Sequence, residues 1–415
     1  MTRREPGLAG RRVVVVNWRD LDHSLAGGAE IYAWQFARAL REAGAQVHFV
    51  TARDSAGSGG QAARETRDGI AVRRGGGALT FYPFVLGWLL RHRRRIDAVI
   101  DPACGLPSFS PLVLRRTTPA LLLVHHVHQA QFAAHFPAPV AAFGRWMERV
   151  AMRRVYRHQV TAAVSSSTVA EMREQLGWTG DIRILENGAD LPPADRSAAL
   201  LDPATKDPDR IVVLGRLVTH KRVDLVLEAV GRAQARAELA GRRLRVDVVG
   251  RGPERDRLVA LTAASGLADQ VTFHGFLSVE EKDALLARAA VHVCASDAEG
   301  WGQAVIDAAA HGVPTVARDV PGLRDSIRPG ESGWLVPDST DPATVVDRLA
   351  EALTGALVDA DDPGVRVLRA EACVAWSHKF DWSQMRAQAR ELTLQLLGHA
   401  STRPDRHHPR DRVAV

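Results

Sequence analysis

Short apolar runs alternate with longer stretches in which apolar side chains recur every three to four residues, and the alternation spans most of the chain. In the first half, Arg12–Asn17, Gln46–Thr51, Ala98–Asp101, Ala120–His125 and His158–Val164 read as strands. Ala29–Ala43 and Pro139 to about Tyr156 have helical spacing, and Ser165-Ser166-Ser167-Thr168 caps a helix reaching about Leu176. Arg53–Gly60 reads as a Gly/Ser-rich loop. Leu191–Arg210 breaks the pattern with Pro192, Pro193, Pro203, Pro208 and several Asp, the composition of a linker. The alternation then restarts. Arg210–Leu214, Arg245–Val249, Val271–His274, Val291–Ala295 and Thr315–Ala317 read as strands. Val223–Ala235, a segment from about Pro253, Val279–Ala289 and Gln303 to about His311 read as helices. Strands that alternate with helices predict parallel sheets covered on both faces. The expected fold is therefore α/β, with two Rossmann-like doubly wound domains facing a cleft: residues 1–190, a linker 191–209, and 210–379.

Three loops at strand ends carry the candidate chemistry. Ala298-Glu299-Gly300-Trp301-Gly302-Gln303-Ala304-Val305-Ile306-Asp307 sits where a strand yields to a helix and puts a second carboxylate eight positions after the first. A helix N-terminus offers unpaired N–H groups and partial positive charge, so it attracts anions. Two acids beside such a terminus suit a ligand that is anionic at one end and rich in hydroxyls at the other. Gly215-Arg216-Leu217-Val218-Thr219-His220-Lys221 follows another strand. Its arginine fork and lysine can engage phosphate oxygens, and ligands of open parallel sheets bind beyond the carboxyl ends of strands. Asn17–Glu30 joins the first strand to the first helix, and Gly27-Gly28 permits close backbone approach. Val124-His125-His126-Val127-His128 adds three histidines suited to metal binding, acid–base chemistry or donation to a hydroxyl; metal is the weakest option, because no carboxylate cluster accompanies them. On a strand, His126 and His128 would share a face. Val248–Glu254 contains a glycine pair but lacks the third glycine of the dinucleotide fingerprint, so a redox cofactor is not expected.

Bulk properties narrow the class. At 415 residues, 46% hydrophobic and 25% charged, the chain is an ordinary globular one of about two domains. It has no apolar run of about 18 residues, and its N-terminus lacks the pattern of a signal peptide. Cys104, Cys294 and Cys373 lack metal-ligand spacing and read as free thiols in a cytosolic protein. Cytoplasmic location is expected, with peripheral contact at the inner membrane face as an option. Residues 1–200 hold 26 Arg and no Lys against 17 acidic residues. Arg91–Arg95 and Arg153–Arg157 are either solvated helix faces or a surface for anionic lipid or an acidic acceptor. Phe81–Arg95 reads either as a membrane-facing acceptor mouth or as an ordinary amphipathic helix. The polar, basic segment 401–415 is expected to be disordered.

Taken together, the motifs resemble those of the GT-B retaining glycosyltransferases of family 4 (glycosyl transferases group 1). The resemblance rests on GGAE at 27–30, VHHVH at 124–128, ENGAD at 186–190, GRLVTHKRVD at 215–224, VVGRGPERDRL at 248–258, FHGFLS at 273–278, EGWGQAVIDAAAHGVP at 299–314 and GWLV at 333–336. It implies transfer of a sugar from a nucleotide-diphosphate sugar to a hydroxyl acceptor (a saccharide, a lipid-linked molecule or a small molecule), with retention, by front-face substitution, without metal or other cofactor. By the same resemblance, Arg216 and Lys221 clasp the diphosphate, Glu299 faces the transferred sugar, and Asp307 stands where the family has a second Glu, toward the ribose. Gly300, Trp301, Gly302, Gln303 and Ala304 line the donor, Gly28 approaches the diphosphate from the opposite domain, and Arg251 and Phe276 lie near the base. His128 is the first choice for the sugar-contacting histidine and His126 the second. Phe380-Asp381-Trp382-Ser383 begins a helix, about 380–398, that crosses back to the first domain. Rival expectations are a sugar-nucleotide epimerase or phosphorylase on this architecture, or a basic module for anions, nucleic acid or membrane; no nucleic acid partner is expected.

Overall fold

The computed structural model describes residues 7–401 except 25, 55–60, 78–79, 104 and 193–200. Expectations for Cys104, for most of the loop 53–60, for 193–200 of the linker and for the tail beyond 401 fall outside the described residues. Eight strands form the first sheet: β1 Arg12–Val16, β2 Gln46–Thr51, β3 Arg64–Arg67, β4 Ile70–Arg74, β5 Ala98–Ala103, β6 Ala120–Val124, β7 Val160–Ala163 and β8 Arg183–Ile184. Their order is β3-β4-β2-β1-β5-β6-β7-β8, parallel except for the β3–β4 hairpin. Six parallel strands form the second: β9 Arg210–Leu214, β10 Arg245–Val249, β11 Val271–Gly275, β12 Val291–Cys294, β13 Thr315–Arg318 and β14 Gly333–Val336. Their order is β11-β10-β9-β12-β13-β14. The architecture is thus α/β with two parallel-sheet domains.

Each sheet reverses its direction of winding once, between β1 and β5 and between β9 and β12. Helices on opposite faces part there and leave a crevice beyond the strand ends. Gly27-Gly28 follows β1, Arg216 follows β9, and Glu299 follows β12, so topology alone collects three of the candidate loops.

The unbroken valine run of β1 is explained by burial on both faces. Val13 and Val15 pack with Tyr32, Phe36 and Leu40 of the helix Gly28–Glu42. Val14 and Val16 pack with Val85, Leu89, Tyr156 and Met172. The helix Trp382–Ser401 lays Trp382, Met385, Ala389, Leu392 and Leu396 into the first-sheet core, and Arg386 donates to Gln35 Oε1 at 3.2 Å.

Several elements differ from the sequence pattern. β3 and β4 are joined by Asp68-Gly69 with φ of 51° and 75°, a tight-turn dipeptide that signals a hairpin even though β3 is polar. β14 adds a sixth strand to the second sheet, with Gly333 pressed so close to Thr315 that a Cβ would lie 2.1 Å from its carbonyl oxygen. The helix read from Pro139 to Tyr156 is Ala138–Trp146, a π-helical segment Met147–Met152, and Arg153–Tyr156. The wider turn holds Glu148 buried, where its carboxylate accepts the His128 backbone N–H and the Gln129 amide, both at 2.7 Å. The helix Phe81–His92 buries Phe81, Val85 and Leu89 in the core and leaves Leu90 exposed, which is the amphipathic-helix alternative for that stretch.

Candidate functional site

The loop after β9 is held by backbone contact with the loop after β10. Gly215 N–H donates to Val249 O at 3.0 Å, Leu217 N–H to Arg251 O at 2.8 Å and Glu254 N–H to Leu217 O at 3.0 Å. A Cβ on Gly250 would lie 1.8 Å from Gly215 O, and one on Gly252 would lie 2.1 Å from Leu217 O. The glycine pair therefore serves the seating of the Arg216 loop. Lys221, at the end of a single 3-10 turn, runs back past Gly215, and its ammonium bonds the Glu299 carboxylate. Ser296 Oγ donates to the same Glu299 oxygen at 2.6 Å. Burial alone would raise the Glu299 carboxyl, but the Lys221 charge and hydrogen bond, with Ser296, hold it below the usual carboxylate range. Glu299 is therefore a permanent carboxylate that accepts hydrogen bonds and does not deliver protons.

The loop carrying Glu299 is clamped at several points. Asp297 N–H bonds His220 O at 2.8 Å, which ties the β12 loop to the β9 loop, and Glu299 N–H bonds Pro321 O at 3.1 Å. Gly302, with φ of 81°, opens the helix Gln303–Ala310. Val305 N–H closes the first turn on Gly302 O at 2.9 Å, so the N–H groups of Gln303 and Ala304 precede that bond at the positive end of the helix. Asp307, one turn on, accepts Gln303 Nε2 at 3.1 Å and Lys282 Nζ at 3.3 Å. Burial pulls the Lys282 ammonium down, yet Asp307 and its neighbours bring it above its ordinary value.

The first domain reaches this clasp directly. A Cβ on Gly27 would sit 3.6 Å from Arg216 Nε, and one on Gly28 would sit 3.6 Å from the Gln303 side chain. Glu30 Oε2 accepts the Gly27 N–H at 2.7 Å while its other oxygen accepts Arg19 Nε at 2.9 Å, which fixes the glycine turn. Gly300 lies so close to His125 O that a Cβ would approach within 2.1 Å. Thus Gly28, Arg216, Lys221, Glu299, Gln303 and Asp307 line one cleft.

Residues 26–192 match the family described as Glycosyltransferase Family 4, and residues 202–361 match Glycosyl transferases group 1. A phosphatidyl-myo-inositol mannosyltransferase of Mycolicibacterium smegmatis is 27% identical over 87% of this chain and 88% of its own length. An alpha-D-kanosaminyltransferase of Streptomyces kanamyceticus is 28% identical over 68% of this chain and 74% of its own. The chain belongs to the family 4 (group 1) glycosyltransferases. Among solved structures, sucrose-phosphate synthase from Thermosynechococcus elongatus superposes with a TM-score of 0.74 at 20% identity, covering 94% of this chain and all (100%) of that one. Anabaena Alr3699/HepE in complex with UDP-glucose superposes with a TM-score of 0.66 at 16% identity, covering 92% and 99%. These likenesses give the glycosyltransferase its GT-B fold.

Other candidate residues take distinct places in the glycosyltransferase. The Trp301 ring turns away from the clasp into the first hydrophobic cluster and meets Phe380 edge-on at 4.9 Å, so only the Trp301 backbone belongs to the cleft wall. Arg251 lies over the ring of Phe276, 5.6 Å from its centroid, at the edge of the second sheet. Phe276 is 72% exposed and forms an open shelf.

β6 ends at Val124, so the three histidines lie in a loop beyond it, where strand alternation does not apply. His125 is buried edge-on against Tyr32 at 5.0 Å, and burial pushes its imidazole down to about 4. His126 and His128 meet edge-on at 5.0 Å. His128 caps the helix Gln129–His135, with its Nδ1 bonded to His126 O at 2.9 Å. Burial, then His128, push the His126 imidazole down to about 3 against the opposing pull of the Glu299 carboxylate, and His220 acts on it as well. The ring that senses the second-domain charges is thus His126. Its Nδ1 stands 3.9 Å from Glu171 Oε2, whose carboxyl is pushed up to about 7 by burial first and by neighbouring acids.

Lys282, Ser296, Glu171 and the Asn187–Gln303 contact at 3.3 Å escaped the sequence reading. Lys282 is on the helix Val279–Arg288, one strand before Asp307 in the chain, and nothing in its local pattern separates it from a surface lysine. Among the described residues no helix is long and apolar enough to cross a membrane.

Proposed function

We propose that this glycosyltransferase moves a sugar from a nucleoside-diphosphate sugar to a hydroxyl acceptor with retention of configuration, with no need of a metal ion. One observation carries the reading: Arg216, the Lys221–Glu299 pair and the helix start at Gln303 face the Gly27-Gly28 turn across one cleft. As the bond from sugar to phosphate breaks, negative charge grows on the diphosphate. Arg216, Lys221 and the first-turn N–H groups are held where they stabilise it without reorganisation. Glu299, ionised, accepts hydroxyls of the transferred sugar, and Asp307 those of the ribose; the shorter Asp side chain leaves room for a bridging water. Arg251 and Phe276 offer a shelf for the base. His126, neutral over the physiological range, donates to the sugar, and His128 orients it. A departing phosphate oxygen takes the acceptor proton. The complex of Alr3699/HepE with UDP-glucose supports a sugar nucleotide as donor.

Arg216→Ala and Lys221→Ala should each lower transfer from a sugar-nucleotide panel by about 100-fold, equivalent to about 3 kcal/mol of barrier. Near-normal turnover in both folded variants rejects the assignment. Product analysis separates the rivals, since an epimerase gives an isomeric donor without acceptor and a phosphorylase requires free phosphate.

The acceptor side supports a partly apolar partner at an anionic surface. Phe136, Val140, Phe143 and Trp146 are all exposed just beyond His128, Phe143 stacks on Trp146 at 6.0 Å, and Arg145 and Arg149 flank them. Such a patch with basic neighbours fits a lipid-bearing acceptor and peripheral membrane contact. Sedimentation with phosphatidylglycerol vesicles tests this, and equal binding by wild type and a Phe143→Ser/Trp146→Ser variant counts against it.

A further inference from the structure

The first domain holds a second hollow at the opposite end of its sheet from the cleft. β7 starts at Val160 and β8 at Arg183, and both run toward the crevice, so a hollow lined by those starting residues lies behind the sheet as seen from the donor site. Its volume is about 380 Å³, within the range of small-molecule sites. Arg153 and Arg157 enter it from one helix end and Arg183 from the start of β8, with Asp181 as the carboxylate of the lining. Leu392 and Leu396 of the helix Trp382–Ser401 form an apolar wall.

The charge arrangement differs from that around Arg74 and Arg318. Arg74 is matched by Asp20, Asp22 and Glu65, and Arg318 by Asp297 and Asp338. In the hollow, Arg153 is fixed by donating Nη1 to Leu176 O at 3.3 Å and Gly177 O at 3.0 Å, and no carboxylate pairs with it among the described residues. The side chains of Arg157 and Arg183 likewise have neither a hydrogen bond nor an ion pair among the described residues. Three arginines that line one hollow without a carboxylate partner among the described residues leave it positively charged, and a tetrahedral dianion held by their forks balances that charge. Asp181 would repel a bare anion but accepts hydroxyls.

We propose that this hollow binds a phosphorylated sugar, with its phosphate on Arg153, Arg157 and Arg183 and its hydroxyls toward Asp181. The site is separate from the donor cleft and does not depend on the assignment made there. Because its wall is the far half of the helix whose start, Trp382, packs on Gly188 at the junction of the domains, an occupant ties that helix to the first domain.

Isothermal titration of the full chain with glucose 6-phosphate tests the site. Wild type and Arg216→Ala should bind alike, and Arg157→Ala/Arg183→Ala should bind at least about 10-fold more weakly, the loss of two charge-assisted contacts. The two substituted side chains are exposed and make no bond among the described residues, so an unchanged melting temperature is expected without ligand. No saturation of wild type up to about 10 mM, equal affinity in the double variant, or loss of binding in Arg216→Ala alone would each overturn the proposal.

Discussion

The two walls of the cleft are built on different terms. On the second-domain wall nearly every polar group is already engaged: Lys221 with Glu299, Ser296 with Glu299, Lys282 and Gln303 with Asp307, and two loops zipped by backbone at Gly215 and Gly250. On the first-domain wall His126 Nδ1 and Glu171 Oε2 are buried without a hydrogen-bond partner among the described residues, and a row of aromatics stands in solvent beyond them. A rigid, matched wall suits a fixed ligand part that develops charge. A wall with spare hydrogen-bonding capacity suits a ligand supplied from outside. Catalytic electrostatics must be set in advance, whereas acceptor contacts can form on binding.

The most severe way to break the comparison is Gly250→Ala. At φ of 142°, with a Cβ 1.8 Å from Gly215 O, alanine has neither an allowed backbone state nor space. We expect a loss of about 3 kcal/mol or more of stability in denaturant melts, with transfer activity lost in whatever remains folded. If the second wall were adaptable, the variant would retain both. Next, His126→Ala should cut kcat by about 10- to 100-fold while His128→Ala costs less, as measured by steady-state transfer. The reverse order would assign the sugar contact to His128.

Acid should loosen both domains through histidines buried in the neutral form. Burial brings His125 and His292 each down to about 4. Their folded values lie below the unfolded one, so the stability is fully present above about pH 6.5 and is lost as pH falls toward 4. Between about pH 7 and pH 5 each should cost about 1–2 kcal/mol. His125→Phe, which keeps a ring against Tyr32, should narrow the pH-dependent fall in melting temperature, and an unchanged slope would show that His125 is not held neutral. Glu171 works in the opposite direction. Its folded value is raised to about 7, so its contribution is present below the unfolded carboxyl range and is lost as pH rises through 7. Glu171→Gln should raise the melting temperature at about pH 8 and leave it unchanged near pH 4. A variant equally shifted at both would assign Glu171 a purely packing role.

Much of this was written along the chain. The valine run of β1, the glycine turn after it, Arg216 with Lys221, and the paired acids Glu299 and Asp307 all stood out, because short-range spacing sets strands, turns and helix starts. The hairpin at Asp68-Gly69 was equally legible by its turn dipeptide but was masked by the polar character of β3. Trp301 was misleading in another way: its motif marks the loop, but the direction of the ring depends on Phe380, which lies far along the chain.

The sequence by itself determined the local alphabet: which segments extend, which coil, where backbone needs glycine, and which loops bear charge. Those choices depend on side-chain periodicity and on conformations available to a few consecutive residues. Only the tertiary structure decided that Lys282 meets Asp307, that His126 feels Glu299 across the cleft, and that three arginines line one hollow behind β7 and β8. Each is a matter of a few ångströms between residues distant along the chain, set by how sheets twist and helices pack, and Coulomb and hydrogen-bond energies depend on those distances.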